Sequence, residues 1–228
     1  MSRDEAPERE RARLRVVLWT VFNAVAGVIL LSRLPGSDGR SAAAIGLLNN
    51  AILVGFTLRR RDPVMARLLL FGLSAGVVEL AADAWLVDVT GTLDYSVSHS
   101  AMVWRSPWWM IMAWEVVAVQ FAYIGLRLGE RFGARGFLLG GLLGAVNIPF
   151  YEEMARRLGW WRYGGCPMLS HTPYFIILGE LLLLTCFGVL AKSVRGGSPW
   201  RVFASGVLAG ASIFASYAIA WVLVGGGG

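Results

Sequence analysis

Residues 64–88 read VMARLLLFGLSAGVVELAADAWLVD, and the only basic side chain among them, Arg67, stands near the start. An α-helix rises 1.5 Å per residue, so about 20 apolar residues cross the roughly 30 Å hydrocarbon core of a bilayer. The stretch therefore predicts a membrane-spanning helix. Three acidic residues, Glu79, Asp83 and Asp88, lie in its second half, where the helix would be leaving the membrane.

Similar apolar segments recur along the whole chain. It is 56% hydrophobic and only 16% charged, whereas soluble domains are about 45–50% apolar and about 25% charged. This composition excludes a soluble enzyme, a nucleic-acid-binding domain and a disordered chain. The sequence predicts an all-α, polytopic membrane protein with a single transmembrane domain over residues 1–228, in which 225–228 is a glycine tail typical of a cloning scar. The predicted spans are 16–32, 42–58, 64–88, 108–126, 136–151, 173–191 and 201–224.

The basic residues predict the orientation of these spans. Fifteen of the 21 arginine and lysine residues, including Arg3 in the first segment, fall in connections on one side. Connections rich in arginine and lysine stay in the cytoplasm. We therefore expect a multi-pass protein of the cell (inner) membrane with its N-terminus in the cytoplasm and its C-terminus outside.

Acidic residues inside apolar spans are the strongest functional signal. A charge at the centre of a membrane helix costs about 2.5–3.5 kcal/mol, and intramembrane ionisable groups usually mark functional sites. Counting along the predicted helices places six acids at a similar depth in the outer half of the bilayer, where we expect them to line one cavity. The alternative is a polar network that ties helices together or pairs with nearby arginines. The six candidate catalytic residues are Glu79, Asp83, Glu115, Glu152, Glu153 and Glu180.

Aromatic residues gather on the same predicted side. Such residues are typical of the membrane interface, but those next to the acids could also stabilise a cation with their π faces. With one amide they form the predicted substrate-binding set: Trp85, Tyr95, Trp114, Asn147, Trp160, Trp161 and Tyr163.

Two parts of the chain, about 64–126 and 136–191, share an order of features. Each has acids before a loop, a Gly-x-x-x-Tyr motif, a Ser-His pair and a proline that opens the next helix. This order predicts a parallel internal repeat of helix hairpins, spans 3–4 and 5–6, about an axis along the membrane normal. His99 and His171 then occupy equivalent places, but two loop histidines do not define a metal site, and none is predicted.

The stretch PFYEE at 149–153, the loop GWWRY at 159–163 and the helix that begins after Pro173 resemble small membrane carotenoid enzymes. These are the lycopene cyclase domain proteins and the bisanhydrobacterioruberin hydratases, and the resemblance covers roughly residues 75–185. It implies a buried carboxylic acid that protonates a carbon–carbon double bond of a lipophilic isoprenoid, which enters from the bilayer. Cyclisation, hydration or isomerisation would follow. The sequence contains no nucleotide-binding motif, and no cofactor is expected.

Two other function classes fit parts of the pattern. A proton- or ion-coupled carrier would also hold acids inside a helical repeat, but it needs a path to both sides of the membrane. A magnesium-dependent prenyltransferase needs paired aspartates that face the cytoplasm, whereas Glu79, Asp83 and Asp88 lie toward the opposite side. The expected partners are a lipophilic isoprenoid and membrane lipids, and not nucleic acid. Substrate length, product type and oligomeric state stay open at this point.

Overall fold

The computed structural model describes residues 5–225, so Arg3 and the glycines at 226–228 lie outside the described residues. Six of its helices are long and apolar enough to cross a membrane. The prediction of an all-α polytopic membrane protein is confirmed. The described helices are α1 (Glu5–Leu31), α2 (Gly39–Arg60), α3 (Pro63–Asp88), α4 (Met110–Phe132), α5 (Ala134–Arg157), α6 (Tyr174–Leu190) and α7 (Pro199–Ala220).

The helix that is not among these six, α5, extends further than its predicted span. The predicted span ended at 151, because a proline and a run of charges follow Asn147, but the helix continues through Pro149 to Arg157. A proline inside a helix removes one backbone hydrogen bond. Burial of Glu152 and Ala155 beyond it holds the extra turns in place.

α3 lies at the centre of the bundle, where it packs against α4 and α7, while α6 contacts α4, α5 and α7. Glycines allow the closest of these approaches. A side chain at Gly72 or Gly76 would meet the backbone carbonyl of Glu115 or Ile111 on α4, and one at Gly141 on α5 would meet α6. Small residues allow such approaches between membrane helices.

We expect Gly76→Val to destabilise the protein by about 2 kcal/mol, because the new side chain must push α3 away from α4. The measurement is the free energy of unfolding in mixed detergent micelles. Gly55→Val is the matched control, since a side chain at Gly55 on α2 meets nothing within 4 Å. Equal destabilisation by the two variants would contradict the close α3–α4 contact.

An ion-pair network closes one end of the bundle, which we call the basic end. The Glu10 carboxylate accepts hydrogen bonds from Arg13 (2.7 Å), Arg195 (2.9 and 3.0 Å) and the Tyr123 hydroxyl (2.8 Å). The Arg13 Nε also donates to both oxygens of Asp62 at 3.0 and 2.9 Å. The network fastens α1 to the start of α3, to α4 and to the turn that follows α6.

The opposite end, which we call the loop end, holds two similar β-hairpins. β2 (Met102–Val103) pairs with β3 (Ser106–Pro107), and β5 (Met168–Leu169) pairs with β6 (Thr172–Pro173), in the same antiparallel register. Each hairpin ends at the proline that precedes α4 or α6. The two helix hairpins of the predicted repeat therefore carry the same local structure in their loops.

The hairpins correct one detail of the predicted repeat. Their turns have equivalent left-handed residues, Trp104 (φ 57°) and Ser170 (φ 58°). The second residue of the turn is Arg105 in the first hairpin and His171 in the second, whereas His99 lies in a turn before its hairpin. The expected equivalence of the two histidines is wrong, because extra residues in the first loop form that turn and shift the alignment.

The two loops also pair with each other. β1 (Leu93–Asp94) lies antiparallel to β4 (Arg162–Tyr163), with Asp94 opposite Arg162, and Arg162 Nη2 lies 2.7 Å from Asp94 Oδ2. Each of these two residues directly precedes the tyrosine of its Gly-x-x-x-Tyr motif. Asp94 and Arg162 therefore occupy equivalent positions in the two repeats and pair with each other, as expected for a two-fold axis between the loops.

Candidate active site

Four carboxyl side chains from three helices lie buried beneath the paired loops. Glu79 and Asp83 project from α3, Glu152 from α5 and Glu180 from α6, and each is at most 5% exposed. All four carboxyl groups lie close enough to Tyr163 for their negative charges to act on its hydroxyl. We call these four residues the acid cluster.

Three members of the acid cluster accept hydrogen bonds from aromatic side chains. Trp161 Nε1 donates to Glu152 Oε2 at 2.6 Å. The hydroxyl of Tyr95 donates to Asp83 Oδ2 at 2.6 Å. The hydroxyl of Tyr217 donates to Glu180 Oε1 at 2.7 Å. Each of these carboxyls is therefore held in a fixed position by a rigid ring.

Glu79, the fourth member, is different. Both of its carboxyl oxygens are buried, and neither has a hydrogen-bond partner among the described residues. Asp83, one turn further along α3, and the indole of Trp114 on α4 lie close enough to influence the Glu79 carboxyl, but neither has the geometry of a hydrogen bond with it. An unpartnered buried polar atom is costly, so Glu79 is the member most in need of a further ligand or water.

Two tyrosines of the loops face the cluster. Burial first, and then the negative charges of Glu152, Asp83, Glu180 and Glu79, raise the pKa of the Tyr163 hydroxyl well above its ordinary value. Burial and then Asp83 and Glu79 raise the pKa of Tyr95 in the same way. Both phenols thus stay protonated and are available as hydrogen-bond donors to the acids, as the Tyr95 hydroxyl is to Asp83. The repeat places them at equivalent positions on the two loops.

The rings around the cluster form a continuous aromatic stack. Trp109 stacks on Trp161 with centroids 6.2 Å apart, and Trp161 meets Tyr95 edge to face at 6.3 Å. Trp160 adjoins Trp109 and Trp161, and its Nε1 donates to Ser41 on α2 at 2.8 Å. The ring that binds Glu152 is therefore part of a larger π surface.

Basic side chains stand outside this site. Within residues 5–225, no arginine, lysine or histidine forms an ion pair with a member of the acid cluster. A buried charge without a partner is far costlier than a neutral acid. Asp94, near the surface, differs from the acid cluster because it has a basic partner. Burial would raise the pKa of its carboxyl, but hydrogen bonds from Ser96 and Arg162 hold this pKa below its ordinary value.

The structure separates Glu153 from the acid cluster. Its side chain points away from the cluster, where it bonds Arg157 at 2.6 Å and lies 3.6 Å from His171. The expectation that all six acids line one cavity is wrong for Glu153, because neighbouring residues on a helix point about 100° apart and depth alone does not fix direction. Glu115 is buried and lies deeper, with its backbone against Gly72 and Gly76, and its place in the site stays a prediction.

The predicted substrate-binding residues divide in a similar way. Tyr95, Trp161 and Tyr163 adjoin the acid cluster, and Trp114 faces Glu79. Trp160 is one ring further away, in the stack. Two residues stand apart. Trp85 packs against Phe214 and Trp221 at the end of α7, and Asn147 is partly buried on α5 before the acids begin.

Sequence reasoning missed two members of the site, Tyr217 on α7 and the stacking role of Trp109. A phenol inside the otherwise apolar last span was a signal for the first. The second was hidden among tryptophans typical of the interface. Among the described residues, no group of three histidine, cysteine or acidic side chains is arranged to hold a metal ion.

Fold and site together define a polytopic helical membrane protein with an acidic, aromatic site under paired loops. The chain belongs to the family described as "Domain of unknown function (DUF6989)", whose model matches residues 80–224. The matched part includes Asp83, Glu152 and Glu180. No match to the chain was found among the curated proteins, and none was found among the solved structures.

Proposed function

We propose that the protein is a membrane enzyme that protonates a carbon–carbon double bond of an isoprenoid lipid, with the Glu152 carboxyl as the proton donor. The observation that carries the proposal is the 2.6 Å bond from Trp161 to Glu152 within a stack of aromatic rings. It sets a buried acid directly beside a π surface that can stabilise positive charge. An acid held neutral by its surroundings is a competent general acid.

The expected chemistry needs only the side chains of the site. The proton moves from the carboxyl oxygen to one alkene carbon, which leaves a tertiary carbocation at the other. Attack by water gives an alcohol, attack by a second double bond gives a ring, and loss of a neighbouring proton gives an isomer. In all three cases the final step releases a proton, from the added water or from a carbon next to the cation. This proton returns to the Glu152 carboxylate and regenerates the donor.

Water for the reaction would come from a cleft at the loop end. The cleft has a volume of about 320 Å³, and Tyr95 forms part of its wall together with Asp94, His99 and Arg105. The hydroxyl of Tyr95 bonds Asp83 at the other end of the ring. An isoprenoid would instead enter from the bilayer, between the helices.

A proton- or ion-coupled carrier is the alternative. It would need a polar route from the acid cluster to the basic end. Leu68, Phe71 and Phe187 are fully buried along this direction, and the rings of Phe71 and Phe187 meet edge to face at 6.1 Å. This apolar plug favours chemistry at one end of the bundle over passage through it.

We further propose that the basic end faces the cytoplasm in the inner membrane. We expect Ser96→Cys and Leu169→Cys, both at exposed positions of the loop end, to react with a membrane-impermeant thiol reagent in intact cells. Arg135→Cys at the basic end should react only after lysis. All three variants are made in a Cys166→Ser, Cys186→Ser background. Protection of both loop positions in intact cells would reverse the orientation.

The function is tested by incubating the protein in lipid nanodiscs with squalene, geranylgeraniol or lycopene in deuterated water. We expect at least one probe to give a product that carries deuterium on carbon, either with one added water or with only its connectivity changed. Conversion of none of the probes by folded protein, or products without carbon-bound deuterium, would overturn the proposal and favour the carrier.

A further inference from the structure

We propose that the groove between α1 and α2 at the basic end binds one anionic phospholipid. The groove has a volume of about 600 Å³ and lies far from the acid cluster, so this site is independent of the proposed chemistry. It has an apolar floor and a basic rim. Its lining residues are Ala12, Arg15, Val16, Trp19, Phe56, Arg59 and Arg60.

The order of these residues along the helices matches a lipid. Trp19 lies one turn beyond Arg15 on α1, and Phe56 lies about one turn before Arg60 on α2. The rise of a helix therefore places both aromatic rings about 5–6 Å closer to the membrane centre than the guanidinium-bearing residues. The rim is thus at the depth of a phosphate group and the floor at the depth of the first acyl carbons.

The three arginines of the rim are free to bind an anion. Arg15, Arg59 and Arg60 are exposed, and none of them has an acidic partner among residues 7–225, whose side chains the structure describes. Arg13, two residues before Arg15, shows the opposite behaviour, because Glu10 and Asp62 occupy its guanidinium. The rim therefore concentrates uncompensated positive charge, whereas the neighbouring network is neutralised from within.

The polar end of Trp19 also lacks a partner. Its ring is 55% exposed and stacks on Phe22 at 5.4 Å, and no described side chain or carbonyl accepts a hydrogen bond from its Nε1. An indole in this position can donate to a lipid ester while its ring lies along an acyl chain. Basic pockets between membrane helices are the sites at which anionic headgroups are recognised. A zwitterionic headgroup would bring its own cation next to the three guanidinium groups, whereas an anionic headgroup adds only negative charge.

The test compares lipid retention by native mass spectrometry after release from nanodiscs of phosphatidylcholine that contain a minority of phosphatidylglycerol. We expect the wild-type protein to retain one phosphatidylglycerol in preference to phosphatidylcholine. The triple variant R15Q/R59Q/R60Q should retain it about a hundredfold less, since each arginine near the headgroup contributes to the attraction. Trp19→Ala should weaken retention without changing net charge.

The matched control is R131Q/R135Q/R201Q, which removes the same charge from exposed arginines elsewhere at the basic end. It should retain phosphatidylglycerol as the wild type does. Equal loss in both triple variants would show diffuse surface attraction in place of a site. Undiminished retention in R15Q/R59Q/R60Q, or equal retention of phosphatidylcholine by the wild type, would also overturn the proposal.

Discussion

Glu152→Gln is expected to lower turnover of an isoprenoid probe by about 10²- to 10⁴-fold, the usual contribution of a general acid. Glutamine keeps the size of the side chain and can still accept the hydrogen bond from Trp161 Nε1, but it has no acidic proton to transfer. The measurement is product formation in nanodiscs by chromatography and mass spectrometry. The thermal unfolding midpoint should stay close to that of the wild type.

The neighbouring residue supplies the control. Glu153→Gln changes the same functional group one position further along α5, but this side chain bonds Arg157 at the surface instead of facing the acid cluster. We expect its turnover to stay within about threefold of the wild type, as for a surface ion pair outside the reaction. If Glu153→Gln were inactive and Glu152→Gln active, the assignment of the proton donor would be wrong.

Asp62→Ala is expected to cause the largest loss of stability, about 4 kcal/mol. Asp62 is buried and receives two hydrogen bonds from Arg13, and its Oδ1 also caps α3 by accepting from the backbone amides of Val64 and Met65. The alanine variant leaves Arg13 with a buried, partly unpaired charge and leaves the start of α3 uncapped. The free energy of unfolding in mixed micelles measures the loss.

Asp38→Ala is the appropriate comparison, because Asp38 caps α2 in the same way through the amide of Arg40 but at an exposed position. Its loss should be about 1 kcal/mol, the usual effect of removing a cap. A similar loss for both variants would mean that the Arg13–Asp62 pair adds nothing to the cap.

The location of the helices could be predicted from the sequence because membrane insertion depends on local composition. A run such as 64–88 crosses the bilayer whatever surrounds it, since its backbone polar groups are satisfied within the helix. The ends of the helices were harder to predict. α5 passes through Pro149 because Glu152 and Ala155 are buried beyond it, and a tertiary contact of this kind leaves no local pattern.

The acids of the site could be predicted for a related reason. Glu79, Asp83, Glu152 and Glu180 are conspicuous within apolar segments, because a charge there needs a compensating role. The rise per residue gave their depth but not their direction around the helix axis. Glu153 has a suitable depth but points elsewhere, and Glu115 lies deeper than the cluster; only the packing of neighbouring helices decides this.

The sequence by itself determined that this chain is a helical membrane protein, that its two loop-bearing hairpins repeat, and that acids and aromatic rings gather at one end. These properties follow from hydrophobicity, helix rise and motif order, which are local quantities. Only the tertiary structure decided that Asp94 meets Arg162, that Tyr217 binds Glu180 and that Glu79 finds no hydrogen-bond partner among the described residues. Such contacts join residues that are far apart in the chain. Which contacts form depends on the rotation of each helix about its axis, and packing at glycines such as Gly72 and Gly76 sets this rotation.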